Sequence, residues 1–247
     1  MRIERKLLAT TAALVIGFSA GAVANAAPTS APWDGAYIGA NVGANIASGN
    51  FSLPGDQGDV LQGADNTQTA VTGGGQIGFN HQFNGPYVIG LEGDIVDTSA
   101  TPTVTACNVR DGCFTSAHDS FTTFNNLHEG VGGHVRARLG YAAGPTLFYV
   151  AGGYSVLDTR MDLIGDCFNA ANPTVPLIFN FSREKTVSGY NIGAGVEHAV
   201  TSHITLRAEY LYDDYGSQLY AGDGAEWNDR VIHLTNSNIR VAANYRF

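Results

Sequence analysis

Apolar and polar residues alternate with a period of two along most of the chain. The last segment is the clearest, because the odd positions from Ile239 to Phe247 are apolar while most even positions from Asn238 to Arg246 are polar. A period of two places successive side chains on opposite faces of a β-strand. Six further segments alternate in the same way, and one more, 146–157, is apolar on both faces, so its register stays open. The eight predicted strands are 35–47, 71–83, 87–96, 131–141, 146–157, 187–198, 204–213 and 238–247.

The connections between these strands alternate strictly between tight turns and long loops. Tight turns lie at 84–86, 143–145 and 200–203, and long polar loops lie at 48–70, 99–128, 159–185 and 214–231. Short periplasmic turns opposite long outer loops are typical of transmembrane barrels whose termini both lie in the periplasm. A strand that rises about 3.3 Å per residue, tilted by about 45°, crosses a band of roughly 25 Å in about 11 residues. The sequence therefore predicts an all-β fold, an eight-stranded antiparallel transmembrane β-barrel with short periplasmic turns and four long outer loops.

The N-terminal segment predicts secretion. Arg2, Arg5 and Lys6 precede an apolar run over 7–23, which closes on the small-residue triplet 24–26. This order is typical of a cleaved secretory signal peptide. We therefore expect a signal peptide at 1–26, a barrel domain at 27–247 and a location in the outer membrane of a Gram-negative cell.

Charge excludes one class of partner. The chain has 13 basic and 22 acidic side chains, and the signal peptide holds three of the basic ones and Glu4. The remainder has 10 basic against 21 acidic side chains, a net charge of −11. Such an acidic protein is a poor match for nucleic acid.

Ionisable side chains in the middle of the predicted strands share the face opposite the apolar one. If the apolar face contacts lipid, these charges line the lumen of the barrel and pair with one another. A soluble, lipocalin-like barrel is the competing interpretation, since it turns its apolar face inward. The chain has only two lysines, Lys6 and Lys185, which is unusual for a solvent-exposed face. The candidate lumen network comprises Glu92, Asp94, Arg136, Arg138, Glu197, Arg207, Glu209 and Arg240.

Short motifs along the whole mature chain resemble those of a known family. They lie at 33–39, 73–80, 91–94, 136–141, 149–154, 193–197, 207–210 and 245–247. In this order they resemble the small outer-membrane β-barrels of alphaproteobacteria, the opacity or porin-like proteins. The resemblance implies insertion by the outer-membrane assembly machinery, with Tyr245 and Phe247 as part of the assembly signal. It also implies a structural or surface role, such as envelope integrity, adhesion or immune recognition, with haem binding in some members.

The predicted loops contain the three cysteines. Cys107 and Cys113 share one loop and form the candidate disulfide, with a cross-link between loops through Cys167 as the rival pairing. His118 and His128 also share a loop and are the only candidates for a haem ligand pair. No histidine or acid has the spacing of a metal site near the cysteines, so we expect neither a metal nor a cofactor.

No catalytic constellation stands out in the sequence. Ser202 and His203 are the one adjacent nucleophile and base, and they fall on a predicted periplasmic turn. We therefore expect a protein that is not an enzyme and whose working surface lies in loops 99–128 and 159–185. Its expected partners are outer-membrane lipid, lipopolysaccharide bridged to loop acids by divalent cations, and host surface molecules. A narrow porin-like channel, a haem-binding barrel and a lipid-modifying barrel enzyme are the alternatives.

Overall fold

The chain is described by a computed structural model that covers residues 33–52, 60–62, 65–107, 120–168, 177–221 and 230–247. Within these ranges no helix is long and apolar enough to cross a membrane. The long strands are β1 (Gly35–Ser52), β3 (Asp65–Gln82), β4 (Tyr87–Thr98), β6 (Ser120–Ala143), β7 (Thr146–Phe168), β8 (Leu177–Ala199), β9 (Ile204–Tyr220) and β10 (Arg230–Arg246). Two short strands, β2 (Val60–Gln62) and β5 (Thr103–Cys107), add to the outer end of β6.

The eight long strands close into a barrel. Each pairs antiparallel with its neighbours, and β1 and β10 complete the circle with a ladder from Tyr37↔Arg246 to Ser52↔Val231. The predicted eight-stranded antiparallel barrel is thereby confirmed. Two of the tight turns depend on glycine, because Gly85 has φ +128° and Gly144 has φ +62°, in the left-handed region that a side chain disfavours.

The outside of the barrel is apolar over a band that two rings of aromatic side chains border. Side chains such as Ile77, Leu91 and Val135 are more than 60% exposed on this face. An apolar band between aromatic girdles is the lipid-facing surface of a transmembrane barrel. The periplasmic girdle contains Phe83, Tyr87, Tyr141, Phe148, Tyr245 and Phe247, and the outer girdle contains Tyr154, Tyr190, Tyr210 and Tyr212.

Above the outer girdle the polarity of the two faces inverts. On β7 the outward series passes from Val156 to Asp158, while the inward series passes from Ser155 to Leu157 and Met161. The strand therefore continues beyond the membrane with its apolar face inward, as in a soluble β-protein. Much of the sequence predicted as loops at 48–70, 99–128, 159–185 and 214–231 is strand, which corrects that prediction. The prediction was wrong because the outward residues of a strand are polar above the membrane, and such a polar segment resembles a loop in sequence.

The extended strands form two facing sheets outside the membrane. The β3–β4 ladder ends at Thr72↔Thr98, the β4–β6 ladder at Asp97↔Val131 and the β8–β9 ladder at Tyr190↔Asp214. The other long ladders continue upward. One sheet therefore consists of β3, β1, β10 and β9, and the other of β2, β5, β6, β7 and β8. The outer core between them contains Phe51, Leu127, Leu157, Met161, Leu163, Val187, Tyr215, Tyr220, Ile232 and Leu234.

Candidate functional site: the filled lumen

All eight residues of the candidate lumen network point into the barrel, and each is at most 5% exposed. Their strands alternate in the membrane, so a charged side chain on one face leaves an apolar neighbour on the other. Arg136 and Arg138, for example, lie between the exposed side chains of Val135, Ala137 and Leu139. The structure therefore brings together charges that are more than 140 residues apart in sequence, such as Asp94 and Arg240.

Arg136 is the centre of the outer half of the network. Its Nη2 contacts a carboxylate oxygen of Glu92 and lies 2.8 Å from Asp94 Oδ2, and its Nη1 lies 3.3 Å from Glu209 Oε1. Arg240 contacts two of these acids from the opposite wall, at 3.0 Å from Asp94 Oδ2 and 2.7 Å from Glu209 Oε2. The carboxylates of Asp94 and Glu209 are thus held between two guanidinium groups in the interior of the barrel.

The periplasmic half of the network is built around Glu197. Arg138 Nη2 lies 2.9 Å and Arg207 Nη2 3.1 Å from Glu197 Oε2. Arg207 Nη1 also lies 2.6 Å from Glu92 Oε2, so Glu92 joins the two halves. Buried charges are stable when they are paired, and every charged side chain of this network has at least one oppositely charged partner.

Sequence reasoning missed several members of the network. His134 bridges Asp94 and Asp213, with ring nitrogens 2.6 and 3.1 Å from their carboxylate oxygens. Tyr149 donates a hydrogen bond of 2.8 Å to Glu209 Oε1. The parity of His134 with Arg136 was a usable signal, because both lie on the polar face of one predicted strand. No such signal pointed to Tyr149, because its segment is apolar on both faces.

Apolar side chains close the lumen at both ends. The periplasmic cap consists of Trp33 and the side chains packed with it, and Trp33 itself is 1% exposed. The outer core closes the opposite end above the membrane. An eight-stranded barrel has an interior just wide enough for its side chains, and here those side chains fill it. The other members of the periplasmic cap are Val88, Leu147, Tyr149, Ala151 and Ala199.

Glu129 lies inside the barrel two residues beyond Val131, the last apolar outward residue among the described side chains of β6, and is therefore above the membrane span. A register shift between Glu129 and Gly132 lets both face inward. Burial raises the pKa of Glu129 to about 7, although hydrogen bonds from Asn236, Thr98 and Asn45 favour its carboxylate. The described residues place no cation against it. Glu129 therefore binds a proton more tightly in the folded protein than in the unfolded chain.

Glu129 is expected to make the stability of the barrel pH-dependent. Because its folded pKa is raised, its stabilising contribution is full at acid pH and is lost as the pH rises through about 7, which amounts to roughly 2 to 3 kcal/mol between pH 5 and 8. Glu129→Gln should remove this part of the pH dependence in urea unfolding from lipid vesicles. The exposed Glu184→Gln is the matched control and should retain it. An unchanged pH profile in Glu129→Gln would contradict the assignment.

Cys113 lies outside the described residues, and only the backbones of Cys107 and Cys167 are described. The backbones of Cys107 and Cys167 flank β6, opposite Thr122 and Phe121 respectively. Positions two strands apart are separated by about 9 to 10 Å, whereas a disulfide needs Cα atoms within about 7 Å. Direct pairing of Cys107 with Cys167 is therefore disfavoured, and the pairing of Cys107 with Cys113 stays a prediction.

The loop histidines do not form a ligand pair in the described part of the chain. His118 lies outside the described residues. His128 lies on β6, with Nε2 3.2 Å from Asp162 Oδ2 and Nδ1 3.2 Å from Thr101 Oγ1. Both ring nitrogens are thus engaged by neighbouring side chains, which leaves neither for a haem iron without rearrangement.

The C-terminal residues lie at the periplasmic rim. Tyr245 is an outward member of the girdle and stacks on His203, with ring centroids 5.7 Å apart. Phe247 packs edge-on against Tyr245 and donates its backbone N–H to Ala36 of β1 at 3.1 Å. The expected role of Tyr245 and Phe247 as an assembly signal stays a prediction, and residues 1–26 lie outside the described residues.

An exposed apolar band around a charged, filled interior defines a small integral barrel of the outer membrane. The chain matches the family described as outer membrane protein beta-barrel domain over residues 10–247, and it belongs to that family. It is 32% identical over 196 residues to the 31 kDa outer-membrane immunogenic protein of Brucella melitensis biotype 1, covering 78% of this chain and 72% of that protein. It is also 36% identical over 100 residues to the 22 kDa outer membrane protein of Rhizobium leguminosarum bv. viciae, 40% of each chain.

Among solved structures, the outer membrane protein OprG of Pseudomonas aeruginosa aligns with 87% of this chain and 97% of its own, with 9% identity and a TM-score of 0.47. The sequence relatives confirm both the resemblance to alphaproteobacterial outer-membrane barrels and the outer-membrane location.

Proposed function

We propose that the protein is a structural and surface-exposed component of the outer membrane, without catalytic activity. The observation that carries this proposal is the filled lumen, in which a paired charge network lies between two apolar ends. As far as the described residues form it, such an interior offers neither a substrate pocket nor a path for solutes. The surfaces left for function are the lipid-facing band and the extracellular sheets.

The possibility of a lipid-modifying enzyme depends on Ser202 and His203. Ser202 Oγ and His203 Nδ1 are 2.9 Å apart on an exposed periplasmic turn. In the described residues no carboxylate lies within ion-pair distance of His203 to orient it, and its ring stacks on Tyr245. A nucleophile needs a base that a third group orients, so this contact is better explained as a local hydrogen bond of the turn.

We also propose that the protein has a role in surface recognition. The Brucella relative is named an outer-membrane immunogenic protein, and the extended sheets of this chain provide a rigid support for exposed segments. Rigid scaffolds that present variable segments are a common basis of recognition. Adhesion to host surface molecules, immune recognition and envelope integrity are the roles that this architecture supports, after insertion by the assembly machinery.

Replacing the segments that join the extended strands tests this proposal. Residues 108–119 connect β5 to β6, and 169–176 connect β7 to β8, so short Gly-Ser linkers there leave every described residue of the outer core unchanged. The variants are expected to fold, as seen by faster migration of unboiled samples on a denaturing gel, and to lose binding to host cells, matrix or immune serum. The same linker at the periplasmic turn 200–203 is the control. Normal folding with unchanged binding and no envelope phenotype would contradict the surface role.

A further inference from the structure

The two extracellular sheets differ in charge on their outward faces. Just above the outer girdle, the sheet of β6, β7 and β8 presents acidic and basic side chains side by side. The outward residues of the opposite sheet at the same level are mostly uncharged, apart from Asp214 and His233, whose side chains lie 3.6 Å apart. The charged face contains His128, Asp158, Arg160, Asp162 and Glu184, and the opposite sheet presents Ser48, Asn50, Thr67, Thr69, Ser217 and Thr235.

Two adjoining depressions lie on the charged face and share Arg160. One, of about 450 Å³, is bordered by His128, Asp158, Glu184 and other residues of β6, β7 and β8. The second, of about 380 Å³, continues along β7 and β8 towards Asn180. The shift in register of β6 contributes to the first depression, because Gly130 brings no side chain to this part of the wall. A concave surface of this kind favours a polar ligand over a flat protein partner.

The charged groups in these depressions have unused binding capacity. Arg160 contacts Asp162 Oδ1 and Ser182 Oγ, both at 3.0 Å and both through Nε. Within the described residues its two terminal nitrogens have no partner, and neither has the carboxylate of Glu184, although Arg160 and Glu184 are directly opposed on β7 and β8. The terminal fork of a guanidinium is the part that pairs with a phosphate in a bidentate manner.

The carboxylate of Asp162 beside Arg160 is stabilised in its charged form. Partial burial tends to raise the pKa of Asp162, but hydrogen bonds from Ser182 and Arg160 lower it below its usual range. Asp158 accepts a hydrogen bond of 2.7 Å from Thr186 through Oδ1. The face therefore presents a cation and carboxylates within one surface. Hard divalent cations prefer carboxylate oxygens and commonly share them with phosphates.

The height of the face fits the headgroup layer. Val156 is the last residue of the continuous apolar outward series of β7, and the next apolar outward residue, Ile164, follows only after Asp158, Arg160 and Asp162. At about 3.3 Å per residue with a tilt of about 40°, Asp158 lies roughly 5 Å and Arg160 roughly 10 Å beyond Val156. The polar layer of a bilayer extends roughly 5 to 8 Å beyond the hydrocarbon, and a glycolipid headgroup extends further.

We propose that this face, centred on Arg160, binds the phosphorylated saccharide headgroup of the outer-leaflet glycolipid. The guanidinium of Arg160 pairs with a headgroup phosphate, while Glu184 and Asp158 hold a divalent cation that bridges to a second phosphate. This inference deepens the proposed structural role, on which it rests, by naming a lipid partner and its site.

Titration of the folded protein with lipopolysaccharide in Mg²⁺-containing detergent solution tests the proposal. Arg160→Gln is expected to weaken binding by about tenfold, equivalent to about 1.4 kcal/mol. Glu184→Gln should remove the gain in affinity that Mg²⁺ provides. Arg183→Gln is the matched control, because Arg183 has the same charge but donates to Ala221 O outside both depressions. The control should bind as the parent does, and all variants should keep the heat-dependent shift in migration.

Three further probes distinguish the source of the phosphate. The deacylated, phosphorylated oligosaccharide is expected to compete with lipopolysaccharide, whereas its dephosphorylated form and inorganic phosphate alone are not. Unchanged binding in Arg160→Gln, or equal competition by the dephosphorylated sugar, would overturn the proposal. Equal competition by inorganic phosphate would overturn the assignment to a glycolipid. None of these outcomes affects the surface-recognition role, which the linker replacements test through host and serum binding.

Discussion

Arg136→Met is expected to destabilise the folded barrel by about 3 to 5 kcal/mol, the usual effect of removing one partner from a buried ion pair. The substitution leaves Glu92, Asp94 and Glu209 without the guanidinium that contacts all three. Methionine preserves most of the volume and the unbranched shape, so the change measures charge more than packing. Urea unfolding and refolding in lipid vesicles gives the free energy of unfolding directly.

Arg160→Met is the control for Arg136→Met. Arg160 is about half exposed above the membrane and pairs with Asp162, and exposed ion pairs contribute only about 0 to 1 kcal/mol. Equal losses of stability in the two variants would mean that burial of the network does not matter. A loss below about 1 kcal/mol in Arg136→Met would contradict its central place in the network.

No steady conductance of porin size is expected when the folded protein is inserted into a planar bilayer. The network fills the membrane part of the lumen, and the periplasmic cap and the outer core close its two ends. Ion flow would require buried charge pairs to separate in a narrow interior. Single-channel recording at physiological salt is the measurement.

The variant with a linker in place of residues 108–119 is the matched control for conductance. It leaves the described residues of the periplasmic cap and the outer core unchanged, so it should be equally silent. Large, reproducible, steady steps from the parent protein would show that the lumen opens. The porin-like alternative would then replace the structural role.

The number of strands, their order and the inward face of most of them could be predicted from the sequence. Period-two alternation is a direct consequence of backbone geometry, and a charged side chain in the apolar band has only the lumen available. Arg207 and Glu209 could be assigned to the lumen in this way, because Leu206, Ala208 and Tyr210 alternate with them. The segment around Tyr149 could not, since both of its faces are apolar.

The partners within the lumen could not be predicted, because they depend on how the circle closes. Asp94 and Arg240 meet only when β10 pairs with β1 and brings its wall opposite β4. The extension of the strands above the membrane could not be predicted either, because the inverted polarity of strands such as β7 resembles the pattern of a polar loop. Glu129 fell just outside the predicted strand that begins at 131, and a shift in register, invisible in sequence, turns it inward.

The β1–β10 ladder also determines when the barrel is finished. Every other long ladder joins two long strands that are neighbours along the chain, with at most a short strand between them, so each can form from a local segment. The β1–β10 ladder must instead bring together the two ends of the domain. The entropic cost of this closure exceeds that of closing a hairpin by roughly 2 kcal/mol, because the cost increases with the logarithm of the loop length. The closing step is therefore the last to be favourable in folding. Until then β1 and β10 are open edges, at which another extended chain competes with the protein's own strand.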